Sequence, residues 1–89
     1  MIVRLSPDAE EQLRVLPAPA ARRIHAALRV LAGVPHSGRR FADDSPYAGF
    51  MYKTVRIQRR WSYRIVYEVT DRRLYVPAIL PSWMFSSAD

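Results

Sequence analysis

The sequence predicts an α+β fold in the order β-α-α-β-β-β, a helix hairpin packed on one face of a small, mainly antiparallel sheet. Three observations predict it. Apolar residues recur at helical spacing up to Gly33, they alternate at strand spacing from Phe50 onward, and clusters of Pro, Gly, Ser and Asp separate these blocks. A chain of 89 residues supplies one core, so residues 1–89 are expected to form a single domain, with 81–89 as a tail free to move.

Ile2-Val3-Arg4-Leu5 reads as a short strand ended by Ser6-Pro7. Ser6 suits an N-cap, because its hydroxyl can accept from a first-turn amide, and Pro7 suits the first helical position, where no amide hydrogen is needed. Asp8, Glu10 and Glu11 then place negative charge at the positive end of the helix dipole. Ala9, Leu13 and Leu16 share one face, and Pro17 and Pro19 stop the helix. A second helix starts near Ala18, with Ala20, Ile24, Ala27, Leu28 and Leu31 on one face and Arg22, Arg23, His25 and Arg29 on the other. Gly33 caps it, Pro35 prevents its continuation, and the short connection makes the pair an antiparallel hairpin.

Residues 34–49 read as a long loop, a length that marks functional or mobile segments. Residues 50–57, 62–69 and 74–80 read as three strands, the last two joined by the turn Thr70-Asp71-Arg72-Arg73. In the first of them Met51, Lys53, Val55 and Ile57 share one face, and Phe50, Tyr52, Thr54 and Arg56 the other. In the second, Tyr63, Ile65, Tyr67 and Val69 stand opposite Arg64, Val66 and Glu68. Pro77 lacks a ladder donor, which makes its strand an edge or the site of a bulge. One sheet face is expected beneath the helices, and the other to hold arginines in a shallow basic trough.

Composition excludes several chemistries. With no cysteine there is no disulfide framework, thiolate nucleophile or thiolate metal site, and His25 and His36 are too few for a histidine-built centre, so no metal or cofactor is expected. No apolar run reaches the roughly 20 residues that span a bilayer, and the first residues lack a signal-peptide block, so the chain is expected to be cytoplasmic, with no membrane partner. Fourteen Lys and Arg against eight Asp and Glu leave a net charge of +6, and all the cations but Lys53 are arginine. The arginine fork grips phosphate at two points and stacks on bases, so the balance favours a polyanion or an acidic protein segment as partner.

Tyr63-Arg64-Ile65-Val66-Tyr67-Glu68-Val69, preceded by Tyr52-Lys53-Thr54-Val55 and by Leu13 and Leu16-Pro17, resembles the RelE/ParE superfamily of toxins from bacterial type II toxin–antitoxin systems. The resemblance covers residues 1–80. It implies an antitoxin partner and, in the RNA-cleaving branch, a ribosome-dependent endoribonuclease that turns a ribose 2′-OH of mRNA on the neighbouring phosphate without a metal. Arg64 matches the sheet arginine that holds the phosphate, and Lys53 a lysine that acts as base or clamp. Arg56, Arg39 and Arg40 join them as substrate contacts on charge alone. The chain departs from that branch at its end: no cation or histidine follows Arg73, no tyrosine follows Tyr75, and Val55 stands at a second lysine position. An acid for the leaving oxygen is therefore unassigned. Two alternatives stay open, a ParE-like inhibitor that binds DNA gyrase through protein contacts, and a toxin that only binds its antitoxin.

Overall fold

The computed structural model describes residues 1–84. Its elements are β1 (Ile2–Leu5), α1 (Pro7–Arg14), α2 (Ala18–Gly33), β2 (Arg39–Arg40), β3 (Met51–Gln58), β4 (Trp61–Thr70) and β5 (Arg73–Pro81), followed by a 3₁₀ turn at Ser82–Met84. The strands form one sheet in the order β1-β5-β4-β3-β2. β1 runs parallel to β5, and the other neighbours are antiparallel. The predicted order holds, with one addition: the expected loop over 34–49 contains the two-residue strand β2 on the edge of β3. Two residues without alternation carry no strand signal, and their pairing comes from β3. Of the tail expected from 81 onward, Pro81 closes β5 and 82–84 turn; the remainder lies outside the described residues.

Ser6 begins α1 as its sequence suggests. Its side-chain oxygen accepts from the Ala9 amide at 3.0 Å and donates to the Pro77 carbonyl at 2.8 Å, while its own amide donates to the Val76 carbonyl at 2.9 Å. One residue thus caps the helix and ties it to β5. Gln12 continues the attachment, accepting the Ile79 amide at 2.9 Å where β1 has already ended.

Both helices lie on one sheet face. Ala9 and Leu13 of α1 and Ala20, Ile24, Leu28 and Leu31 of α2 are buried against Val55, Ile57, Tyr63, Ile65, Tyr67, Leu74, Val76 and Ile79. Pro77 sits at a bulge in β5, which is interior and not an edge: the β4 register shifts between Val66 and Glu68, whose partners are Ala78 and Tyr75. The extra residue resets the alternation, so Val76 and Ile79 both reach the core although three positions separate them. Among the described residues no helix is long and apolar enough to cross a membrane.

Candidate functional site

β3 and β4 carry the residues singled out from the sequence. Arg64 lies mid-β4, opposite Thr54 on β3 and Leu80 on β5. Its neighbours Tyr63 and Ile65 belong to the helix-covered core, so alternation turns Arg64 to the helix-free face. It is nevertheless only 4% exposed. The Tyr52 ring lies against its guanidinium, 4.1 Å from Cζ to the ring centroid. Tyr52 belongs to an aromatic cluster, with Phe41 at 4.6 Å and Tyr47 at 5.4 Å from Phe41. Arg64, Arg40, Tyr52, Phe41, Asp44 and Ser45 contribute to the wall of a cavity of about 490 Å³.

The five predicted site residues divide. Arg64 and Arg40 share this cavity. Lys53 pairs with Ile65, and alternation puts it on the helix-side face with Val55 and Ile57, opposite to Arg64. It lines a separate cleft of about 190 Å³ with Arg39 and Gly38. Arg56 is exposed at the far end of β3, where its carbonyl accepts from the Arg23 guanidinium at 3.0 Å. The basic trough expected on the open face is thus a walled cavity holding two of the five. Tyr52 was legible as a wall residue, since alternation sets it on the face away from Val55. Phe41, Asp44 and Tyr47 lie in a segment without periodicity and left no signal.

The segment before β2 is fixed by Tyr67, whose ring is fully buried. Its hydroxyl donates to the Pro35 carbonyl at 2.8 Å and accepts from the Gly38 amide at 3.1 Å. Burial raises the Tyr67 pKa above its ordinary value, and the Gly38 amide works against that shift. Tyr63 is also a packing residue; its hydroxyl accepts from the Trp61 indole at 3.0 Å. Among the described residues no three His, Cys, Asp or Glu side chains gather to hold a metal ion.

On the side of the core away from this cavity, Val15, Leu16 and Pro17 face Tyr63, Ile79, Trp83 and Met84 across an apolar groove of about 440 Å³. Trp83 is 73% exposed, and its ring lies 6.5 Å from that of Tyr63. Phe85, the next residue in the sequence after Trp83 and Met84, lies outside the described residues.

Comparison with known proteins places the chain. No curated protein sequence matches it. The crystal structure of the intact E. coli RelBE toxin–antitoxin complex contains a similar chain, with TM-score 0.70 and 17% identity over 89% of this chain and 93% of that one. At that identity the likeness is one of fold, two helices on a five-stranded, mostly antiparallel sheet. A family model described as "ParE toxin of type II toxin-antitoxin system, parDE" matches residues 3–82. That span runs from within β1 past the end of β5, and the chain belongs to the ParE toxin family of type II toxin–antitoxin systems.

Proposed function

We propose that this toxin acts by binding a protein target, DNA gyrase, and not by cutting RNA, and that an antitoxin neutralises it. The observation that carries the reading is the divergence of Lys53 and Arg64 onto opposite sheet faces. Cleavage through a 2′-OH needs a base and cations converging on one phosphate, and the pair chosen for those roles does not converge. The match falls in the ParE branch, for which the resemblance implies gyrase as target, and the likeness to a chain of the RelBE toxin–antitoxin complex supports an antitoxin. Titrating purified toxin into a gyrase supercoiling reaction is expected to abolish supercoiling, and equimolar antitoxin to restore it. Undiminished supercoiling at saturating toxin overturns the proposal.

A second reading, ribosome-dependent mRNA cleavage, is favoured by one feature: Arg64 and Arg40 line the same cavity beside an aromatic wall. In this reading the two arginines hold the scissile phosphate. Primer extension on transcripts after toxin induction decides it, with new cuts that vanish in Arg64→Ala as the supporting result.

A further inference from the structure

Cations and carboxylates are segregated along the chain. Residues 12–42 and 45–67 contain no Asp or Glu, yet they hold every Lys and Arg except Arg4, Arg72 and Arg73. The fold packs these two stretches together. α2 comes from the first, β3 and the leading part of β4 come from the second, and α2 lies over β3. The acidic residues Asp8, Glu10 and Glu11 are on α1, which lies over β5 instead. The other described carboxylates stand away from the β3–β4 turn. Asp43 and Asp44 precede β3, and Glu68 and Asp71 lie at the far end of β4 and just beyond it.

What results is a band of arginines. Arg22, Arg23 and Arg29 stand on α2, and Arg56, Arg59 and Arg60 on the end of β3 and its turn; all are exposed. The Arg23 guanidinium donates to the Arg56 carbonyl at 3.0 Å, which joins helix to hairpin. Arg22 and Arg29 share one stripe of α2, about 10 Å apart along its axis. Among the described residues none of this band takes part in an ion pair. A disordered acidic peptide must offset its ordering cost by burying apolar side chains. Among the exposed large apolar residues, Val30 alone lies within α2 or the β3–β4 turn. A single nucleic-acid strand needs open rings to stack on. Trp61, at this end of β4, is instead packed against the core, with its indole donating to the Tyr63 hydroxyl at 3.0 Å. A rigid, polar, cationic surface of this kind suits a stiff polyanion.

We propose that the arginine band of α2 and the β3–β4 turn is a docking surface for the phosphate backbone of duplex DNA, bound without base recognition. Guanidinium forks on two rigid elements meet successive phosphates, and the condensed counterions they displace supply much of the affinity. The band includes none of the residues that line the Arg64 cavity. The choice of DNA rests on the gyrase reading, because gyrase works on duplex DNA. The surface adds a contact with that DNA to the contact with the protein.

The test is fluorescence anisotropy of a short labelled DNA duplex with purified toxin alone, from about 0.05 to 0.2 M salt. Arg22→Gln with Arg29→Gln, and separately Arg59→Gln with Arg60→Gln, are each expected to weaken binding about fivefold or more. With both pairs combined, the slope of log affinity against log salt should become shallower by about 3 to 4. Arg72→Gln with Arg73→Gln, which removes the same charge at the opposite end of β4, is expected to weaken binding less than about twofold. Undiminished binding in either band pair, an equal loss in the Arg72/Arg73 pair, or no duplex binding at the lowest salt overturns the proposal. So does tighter binding of a single-stranded DNA or a double-stranded RNA of the same length. Thermal melts establish that each variant is folded. Gyrase enters none of these measurements. A toxin that blocks supercoiling without binding DNA refutes the docking surface alone, and one that binds DNA through the band without blocking supercoiling refutes the gyrase target alone.

Discussion

The Tyr67 hydroxyl serves two backbone groups of the segment that leads into β2, the Pro35 carbonyl and the Gly38 amide. Tyr67→Phe removes both partners at once and is expected to cost about 1–3 kcal/mol, measured by urea denaturation at neutral pH. The same variant should alter the alkaline response. The pKa of Tyr67 is raised in the folded protein, so above its ordinary value near 10 the unfolded chain holds fewer protons than the folded one, and stability falls as pH rises. Removing the phenol should flatten that fall, seen as a smaller loss of urea midpoint from pH 9 upward; an unchanged slope contradicts it. Gly38 is fixed by the same contact. A Cβ there would overlap the Tyr67 hydroxyl and approach the Tyr52 carbonyl oxygen at 2.6 Å. Gly38→Ala is therefore expected to destabilise by about 1–3 kcal/mol, and by less when combined with Tyr67→Phe, which removes the first of the two obstacles.

At the scale of elements, the β4–β5 connection carries a testable strain. Asp71 and Arg72 have φ of 53 and 69, the left-handed pair that a two-residue hairpin turn demands. Aspartate tolerates this region better than arginine, so Arg72→Gly is expected to stabilise by about 0.5–1 kcal/mol, read as a higher urea midpoint with an unchanged slope. The elements themselves were legible because local chemistry agreed with the tertiary result: Ser6-Pro7 began a helix, and Ala20, Ile24, Leu28 and Leu31 met the sheet as their spacing required. Pro77 was half legible. The missing donor announced a disturbance, but only the strand order shows a bulge inside the sheet. The site was less legible for a physical reason. The sequence assigned Lys53 and Arg64 correctly to alternating sets, yet which set of β3 faces the same way as which set of β4 depends on register, and Lys53 opposite Ile65 decides it. The wall of the Arg64 cavity comes from 40–46, where no period links residue to face.

For the whole molecule the dominant property is charge. The net +6 is spread over a body of 34 × 29 × 22 Å, and eight carboxylates do not offset fourteen cations. Arg14 pairs with Glu11 within α1, an exposed local contact that holds no distant parts together, and most arginines are exposed to solvent. Such a field acts on encounter. It draws an acidic partner from beyond contact range, and the Debye length, about 8 Å at physiological salt, sets how far the pull extends. The molecule's apolar groove, with Trp83 and Met84 at its rim, is by contrast a surface whose burial salt scarcely weakens. The two dependences separate in kinetics. If the proposed antitoxin is acidic, raising ionic strength from about 0.05 to 0.5 M should lower its association rate about tenfold or more while changing the dissociation rate much less. Stopped-flow mixing of toxin and antitoxin measures both. An association rate indifferent to salt would mean that the arginine surface plays no part in capture, and that the charge serves the toxin's target instead.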